Sequence, residues 1–257
     1  MENLNIASWN VKNSYFNLSK NSAKVDAIVD LLEKENLDIL GLQEVNYALA
    51  DDITNRLNEL NNGYRFIYNY SKQSRNKIND VCVEINPFIA RRSDKFCFAN
   101  GKELNSFIPK LSGIDLIKPM PSIRKRSVGK YVSLNQRMEM YNVHLDFYSE
   151  ELATRQMEEL LKMVGTSASC EPNYNRFLMG TFNWKPTDEN MTDFLKKIES
   201  LKLKSIELNE VTYASHQDNL PVDYIMVPED NIVDEVKVSH DYSEASSHYP
   251  VIAKVKY

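Results

Sequence analysis

Short apolar runs alternate along this chain with longer segments in which apolar residues recur every three or four positions. In residues 23–35, Val25, Ile28 and Leu32 have this spacing, which predicts an amphipathic helix with Ser22 as its N-cap. The same spacing predicts helices over residues 51–60, 150–164 and 188–201. Strands are predicted over residues 4–9, 37–42, 64–68, 81–90, 128–134, 139–145, 177–179, 222–227, 232–238 and 251–255. Many strands with about four helices indicate an α/β fold in which sheet packs on sheet and helices lie outside.

Composition and charge are those of a soluble globular protein. The 257 residues are 42% hydrophobic, and 31 basic against 36 acidic residues give a net charge of −5, which argues against a protein held on nucleic acid mainly by bulk positive charge. No apolar run approaches the roughly 20 residues that span a bilayer, and the start does not resemble a signal peptide. Cys82, Cys97 and Cys170 lie far apart, which favours free thiols in a reducing compartment. We therefore expect a cytoplasmic, monomeric protein without a membrane segment.

Six short segments place polar residues able to bind a metal or a phosphate at an end of an apolar strand. They occupy residues 9–10, 42–44, 142–145, 180–183, 223–225 and 246–251. Loops at strand ends on a rigid sheet commonly carry functional side chains. Singly, each segment has an ordinary structural explanation, because Asn favours turns and a lone His is more often structural than catalytic. The order of all six along the chain is more specific than any one of them.

In that order the six segments resemble the endonuclease/exonuclease/phosphatase superfamily, the deoxyribonuclease-I-like metal-dependent phosphohydrolases. Members carry W-N, L-Q-E, N-x-H-L, G-D-F-N, D-Y-I and S-D-H-x-P-V, and this chain has W-N, L-Q-E, N-V-H-L, G-T-F-N, D-Y-I and S-S-H-Y-P-V. Thr212 and Tyr213 are similar to a T-F element of the family. The resemblance implies one domain over residues 1–257. It also implies a four-layer α/β sandwich, in which two mainly antiparallel sheets pack face to face with helices outside.

The resemblance implies a divalent cation, Mg²⁺ or Mn²⁺, at these strand ends. Glu44 matches the family's metal-binding carboxylate, Asn10 lies beside the metal and the phosphate, and Ser247 stands at a metal-side position. The implied substrate or ligand is a phosphate ester, either a nucleic acid or a small molecule.

The resemblance also implies roles for five further residues. His248 matches the histidine that contacts the phosphate, and Asp223 matches the carboxylate that orients this histidine. His144 matches a second histidine on the phosphate side, for which Glu84 is the expected carboxylate partner. Asn183 would donate to the phosphate or position the attacking water.

Two positions depart from the family pattern, and each loses a carboxylate. Thr181 stands where the family has the Asp that orients and deprotonates the attacking water, and Ser247 stands where it has a metal-side Asp. A positioned general base contributes about 10²–10⁴ in rate, and a neutral hydroxyl is a poor proton acceptor. Mg²⁺ is held by few protein carboxylates, so the loss of one weakens its binding. We expect a divergent phosphohydrolase with weakened hydrolysis and weakened metal binding; the alternative is an inactive pseudoenzyme that binds a phosphate-containing ligand or a protein partner.

Three more residues are candidates for substrate binding. Arg124 and Arg126 lie in a basic cluster that could follow a polyanionic substrate, and a solvated loop is the alternative. Trp184 directly follows Asn183 and could line the cleft or pack in the core.

Overall fold

The computed structural model describes residues 2–12, 21–61, 63–67, 87–91, 128–133, 136–146, 149–208, 210–214 and 219–257. The helices are α1 (Asn21–Lys34), α2 (Tyr47–Leu60), α3 (Glu150–Cys170) and α4 (Glu189–Ser200), and a short 3₁₀ turn covers His240–Tyr242. The strands are β1 (Asn3–Asn10), β2 (Ile39–Gln43), β3 (Tyr64–Ile67), β4 (Phe88–Arg91), β5 (Gly129–Ser133), β6 (Met138–His144), β7 (Asn175–Thr181), β8 (Leu203–Ser205), β9 (Tyr213–Ala214), β10 (Asn219–Leu220), β11 (Asp223–Pro228), β12 (Ile232–Val238) and β13 (Val251–Lys256). Within these ranges no helix combines the length and apolar character needed to cross a membrane.

Most of these strands belong to two sheets. The first sheet has the order β12-β13-β1-β2-β4-β3 and the second has the order β5-β6-β7-β11-β8, while β9 pairs separately with β10. Neighbouring strands are antiparallel, except that β1 is parallel to β2 and β6 is parallel to β7. The expected pair of mainly antiparallel sheets is confirmed.

Three apolar clusters separate the layers of the sandwich. One packs α1 and α2 on the first sheet, the second fills the space between the two sheets, and the third packs α3 and α4 on the second sheet. Because side chains alternate between the two faces of a strand, β1 contributes Leu4 and Ile6 to the middle cluster and Ala7 and Trp9 to the outer one. The order helix, sheet, sheet, helix is the expected four-layer sandwich.

At one end of the sandwich the inward side chains change from apolar to polar. In β6, Met138 and Met140 belong to the middle cluster, whereas Asn142 and His144 follow at the same face. The strand register places these changes at one level, because His144 and Asp223 both pair with Thr181. The buried inward polar residues at this end are Ser8, Asn10, Gln43, Asn142, His144, Thr181 and Asp223.

Two glycines allow a close approach beside these polar residues. A Cβ atom on Gly41 would lie 2.6 Å from Sδ of Met179, which belongs to the opposite sheet. Gly180 has φ of +140°, and a Cβ there would lie 1.9 Å from the carbonyl oxygen of Val143. A side chain at either position would have to displace its neighbours, so glycine sets the spacing of the strands that carry the polar residues.

Several predicted boundaries differ from the structure. The helix predicted from residue 51 begins at Tyr47, because the Asn46 side chain accepts a hydrogen bond from the Leu49 backbone N–H at 2.9 Å and caps α2. The assignment of Ser22 as an N-cap is wrong, since Ser22 lies inside α1. The strands β8, β9 and β10 were not predicted, because two or three residues are too few to show a period of two. Cys170, at the end of α3, is a free and exposed thiol.

Candidate active site

A continuous chain of hydrogen bonds links the polar residues at this end of the sandwich. Asn10 Nδ2 donates to Glu44 Oε1 at 3.1 Å and to Thr181 Oγ1 at 3.2 Å. Thr181 Oγ1 in turn donates to Asp223 Oδ1 at 2.5 Å, and Asp223 Oδ2 lies 2.9 Å from His248 Nδ1. The structure therefore brings five of the predicted site residues into direct contact across the two sheets.

The end of β6 and the loop after β7 add two more predicted residues, His144 and Asn183. Glu44 has φ of +55° and Asn183 has φ of +62°, left-handed conformations that non-glycine residues rarely adopt and that cluster at functional sites. His144 Nε2 lies 3.5 Å from Glu44 Oε1. Asn183 Nδ2 donates to the Leu145 carbonyl at 2.8 Å, which ties the loop after β7 to the loop after β6. His144 and Asn183 thus lie at the same strand ends as the chain of contacts.

The His248 ring is held firmly in this arrangement. Asp223 contacts its Nδ1, and the Tyr213 ring lies against it with centroids 4.4 Å apart and a tilt of 34°. The His248 carbonyl accepts a hydrogen bond from Trp9 Nε1 at 2.9 Å, and the Asp223 backbone N–H donates to Thr212 Oγ1 at 3.0 Å. The second ring nitrogen, Nε2, is the one that the Asp223 contact leaves for a ligand.

The Thr181 hydroxyl is fully buried and engaged on both sides. It accepts a hydrogen bond from Asn10 and commits its own proton to Asp223. Each oxygen of Asp223 already has a partner, one being Thr181 and the other His248. A hydroxyl does not take a proton from water near neutral pH. The position that the resemblance assigns to a water-activating aspartate therefore holds a neutral hydroxyl in this chain.

The predicted metal-side positions present one carboxylate and one ammonium group. Asn10 Oδ1 accepts from the Lys12 backbone N–H at 2.9 Å, so the amide nitrogen, not its oxygen, faces Glu44. Lys12 Nζ donates to Ser247 Oγ at 3.2 Å. In the part of the chain that the structure describes, no three His, Cys, Asp or Glu side chains are grouped as metal ligands. Because Mg²⁺ and Mn²⁺ prefer several oxygen ligands in octahedral geometry, this donor set does not fit a resident cation.

The structure does not show four of the predicted residues in contact with this cluster, because three of them are not described and the fourth packs elsewhere. Glu84, Arg124 and Arg126 lie outside the described residues, so their roles stay predictions. Trp184 is half-buried and packs against the apolar cluster beneath α3 and α4, and its carbonyl accepts from the Tyr224 hydroxyl at 2.7 Å. These contacts account for Trp184 by packing, and its role in substrate binding stays a prediction.

Sequence reasoning missed two residues at the edge of the site. Lys12 Nζ donates to the Tyr213 hydroxyl at 3.3 Å and lies 4.9 Å from the centroid of the Tyr213 ring. Tyr213 belongs to the T-F-like element, which was a usable signal, but no role was inferred from it. Lys12 carries no signal beyond its place two residues after Asn10.

A family model and several solved structures are similar to this chain. The model of the Endonuclease/Exonuclease/phosphatase family matches residues 7–248. Among curated protein sequences there is no significant match.

Three solved structures show the same fold at low sequence identity. An endonuclease/exonuclease/phosphatase family protein from Bacteroides thetaiotaomicron is 18% identical with a TM-score of 0.68, over 99% of this chain and 97% of that one. A mannosyl-6-phosphatase from Bacteroides thetaiotaomicron is 17% identical with a TM-score of 0.69, over 99% and 100%. D. rerio TDP2 complexed with single strand DNA product is 13% identical with a TM-score of 0.66, over 100% of each chain. The match of the family model over nearly the whole sequence shows that this chain belongs to the endonuclease/exonuclease/phosphatase family.

Proposed function

We propose that this chain binds a phosphate ester at the polar end of its two sheets and hydrolyses it slowly. The observation that carries this proposal is the buried Thr181 hydroxyl, which lies between Asn10 and Asp223 at the position of the family's catalytic aspartate. The residues implied to contact the phosphate are present, whereas the group implied to activate the water is replaced.

Binding of the phosphate group rests on His248 and Asn183. Asp223 contacts Nδ1 of His248 and so orients the ring, and Nε2 would contact a phosphate oxygen. Asn183 lies on the loop that is tied to Leu145, and its position at the strand ends suits a second contact. Both residues are held by the fold, so little ordering would be needed when the ligand binds.

Hydrolysis would be slow because the site lacks a group that takes a proton from the attacking water. In-line attack on phosphorus requires an oriented nucleophile and stabilisation of the charge on the phosphoryl oxygens. Loss of a general base lowers a typical kcat of about 10 s⁻¹ by a factor of about 10²–10⁴, to roughly 0.1–0.001 s⁻¹.

A second candidate function is phosphate binding without any turnover. The observation that favours it is the contact between Lys12 and Ser247, which places an ammonium group at a metal-side position. Together with the Asn10 oxygen that the Lys12 backbone already occupies, this contact leaves Glu44 as the one carboxylate at these positions.

The test compares the natural chain with a variant that restores both carboxylates, Thr181→Asp with Ser247→Asp. Purified proteins are assayed with Mg²⁺ on a single-stranded oligonucleotide and on a sugar phosphate, because the similar structures include a TDP2 bound to a DNA product and a sugar phosphatase. We expect the double variant to be faster by about 10²-fold or more. Thr181→Ser with Ser247→Thr keeps the hydroxyls and is the matched control.

Four outcomes of this comparison are informative. Slow hydrolysis by the natural protein that is lost in His248→Ala supports the slow hydrolase. No hydrolysis by the natural protein, together with an active double variant, supports the binding-only function. Natural activity that equals that of the double variant contradicts both. A double variant that is folded but also silent shows that the site residues are wrongly assigned.

A further inference from the structure

Lys12 lies at the edge of the site in an unusual backbone conformation. Its φ is +42°, and its backbone N–H donates to Asn10 Oδ1 at 2.9 Å. Lys24, a buried lysine of α1, donates from Nζ to the carbonyl of Val11 and, at 3.1 Å, to the carbonyl of Lys12. The turn after β1 is therefore held from both sides, and it directs the Lys12 side chain across the site towards the loop before β13.

The Lys12 ammonium group ends among neutral partners. It donates to Ser247 Oγ at 3.2 Å and to the Tyr213 hydroxyl at 3.3 Å. Other exposed lysines differ, because Lys202 and Lys254 each contact a glutamate. An ammonium group has three donors, and these two hydroxyls do not neutralise its positive charge. Lys12 therefore has both the charge and the exposure to bind an anion.

Two contacts connect Lys12 with the predicted phosphate-binding histidine. The Tyr213 ring lies against the His248 ring at 4.4 Å, and the Lys12 ammonium group lies over the same Tyr213 ring at 4.9 Å. Ser247, which accepts from Lys12, is adjacent to His248 in the chain. Lys12 and His248 thus contact the same tyrosine ring, and the Lys12 charge lies beside the proposed phosphate site.

We propose that Lys12 supplies the fixed positive charge for the phosphate in this chain, so that the ligand binds without a divalent metal ion. This proposal rests on the proposed phosphate binding. It explains why the metal-side position 247 tolerates serine, since a carboxylate there would pair with Lys12 and compete with the ligand. It also explains why the oxygen of Asn10 supports the Lys12 turn instead of facing Glu44.

The test measures binding of inorganic phosphate to the full chain by its effect on the melting temperature, at constant ionic strength, in EDTA or in Mg²⁺. We expect the natural protein to bind phosphate in EDTA. The phosphate-induced rise in melting temperature should not increase when Mg²⁺ replaces EDTA. Lys12→Gln should weaken binding by about tenfold or more, whereas Lys12→Arg should retain most of it. Lys254→Gln removes an exposed lysine far along β13 and is the matched control.

Failure of this inference is distinguishable from failure of the proposed function. Phosphate binding that requires Mg²⁺, or that is lost in His248→Ala but unchanged in Lys12→Gln, overturns the role of Lys12 and leaves the phosphate site in place. No phosphate binding by the natural protein, with or without Mg²⁺, overturns both. Circular dichroism of each variant establishes that the proteins compared are folded.

Discussion

The two ends of the second sheet stabilise a buried carboxylate in different ways. At the end away from the candidate site, Glu139 of β6 lies 3.0 Å from Lys130 Nζ and 3.1 Å from Arg176 Nε. The Ser167 hydroxyl of α3 donates to the same carboxylate at 2.5 Å. Burial alone would raise the pKa of Glu139, but these hydrogen bonds and the two cations hold its pKa below the ordinary range.

At the site end, within the part of the chain that the structure describes, the carboxylates have no lysine or arginine among their contacts. Asp223 contacts Thr181 and His248, and Glu44 contacts Asn10 and His144. These partners are a hydroxyl, an amide and two imidazoles. At the Glu139 end the carboxylate is paired with two cations, whereas at the site end the contacts of the two carboxylates are polar side chains.

The largest expected effect comes from removing the Glu139 carboxylate. Glu139→Gln leaves Lys130 and Arg176 as buried cations without their carboxylate, and we expect a loss of about 3–5 kcal/mol in the free energy of unfolding. Denaturant unfolding at pH 7 measures this loss. Phosphate binding by the folded protein should not change. A loss below about 1 kcal/mol would show that the cluster is not a stabilising unit.

The same type of substitution at the site end should weaken phosphate binding as well as stability. Asp223→Asn removes the carboxylate that orients the His248 ring, so we expect phosphate binding to weaken by about tenfold or more. Its effect on stability should be smaller, about 1–3 kcal/mol, because a neutral amide can still contact Thr181. Parallel unfolding and phosphate titrations measure the two effects. Intact phosphate binding with a loss of stability equal to that of Glu139→Gln would contradict the comparison.

Adding a carboxylate at the site end tests how this end responds to a second negative charge beside Asp223. In Thr181→Asp the new carboxylate would lie beside Asp223, which raises one of the two pKa values. Because that pKa is raised in the folded state, the variant loses stability as pH rises through the acidic range. We expect a deficit of about 1–2 kcal/mol at pH 7 that shrinks towards pH 4. Thr181→Asn, similar in size and neutral, should show no such pH dependence.

The lowered pKa of Glu139 predicts a smaller effect on acid stability. A carboxylate with a depressed folded-state pKa contributes stability above its ordinary range and loses it as pH falls through the folded-state value. The natural chain should therefore lose stability on acidification more steeply than Glu139→Gln does. Unfolding curves collected from pH 7 to the acid limit should converge. Parallel curves would show that the Glu139 cluster does not contribute to acid sensitivity.

The smallest effect is expected at an exposed ion pair on the outside of α3. Arg155 NH2 lies 2.5 Å from Glu151 Oε1, and both side chains are more than half exposed. Such a pair contributes at most about 0.5 kcal/mol, so Arg155→Gln should leave both unfolding and phosphate binding unchanged. This variant is the baseline for the four predictions above. A larger change in phosphate binding would show that α3 is coupled to the site.

The grouping at the site could be predicted from the sequence because it follows from strand ends. Asn10, Glu44 and Thr181 each end or follow an apolar strand, and register within the sheets brings such ends to one level. The apolar alternation that predicts the sandwich also decides which side chains face inward. The contacts observed there agree with the predicted set, while the roles of its members stay predictions.

Other features depend on contacts that a sequence pattern does not contain. Lys12 reaches Ser247 through a turn with positive φ, which the sequence does not signal because Lys rarely adopts it. The predicted α3 ended at residue 164, yet the helix continues to Cys170 through Gly165 and Ser167. Those weak helix formers are held by tertiary contacts, including the hydrogen bond from Ser167 to Glu139.

The most direct test of the central claim is a single-turnover measurement on the natural chain. Protein in excess is mixed with a labelled single-stranded oligonucleotide or sugar phosphate in Mg²⁺, and bound and cleaved ligand are quantified in the same samples. We predict that the ligand binds and that its cleavage has a rate constant below about 0.1 s⁻¹. Cleavage of bound ligand at about 10 s⁻¹, the rate of an ordinary enzyme, would contradict the account.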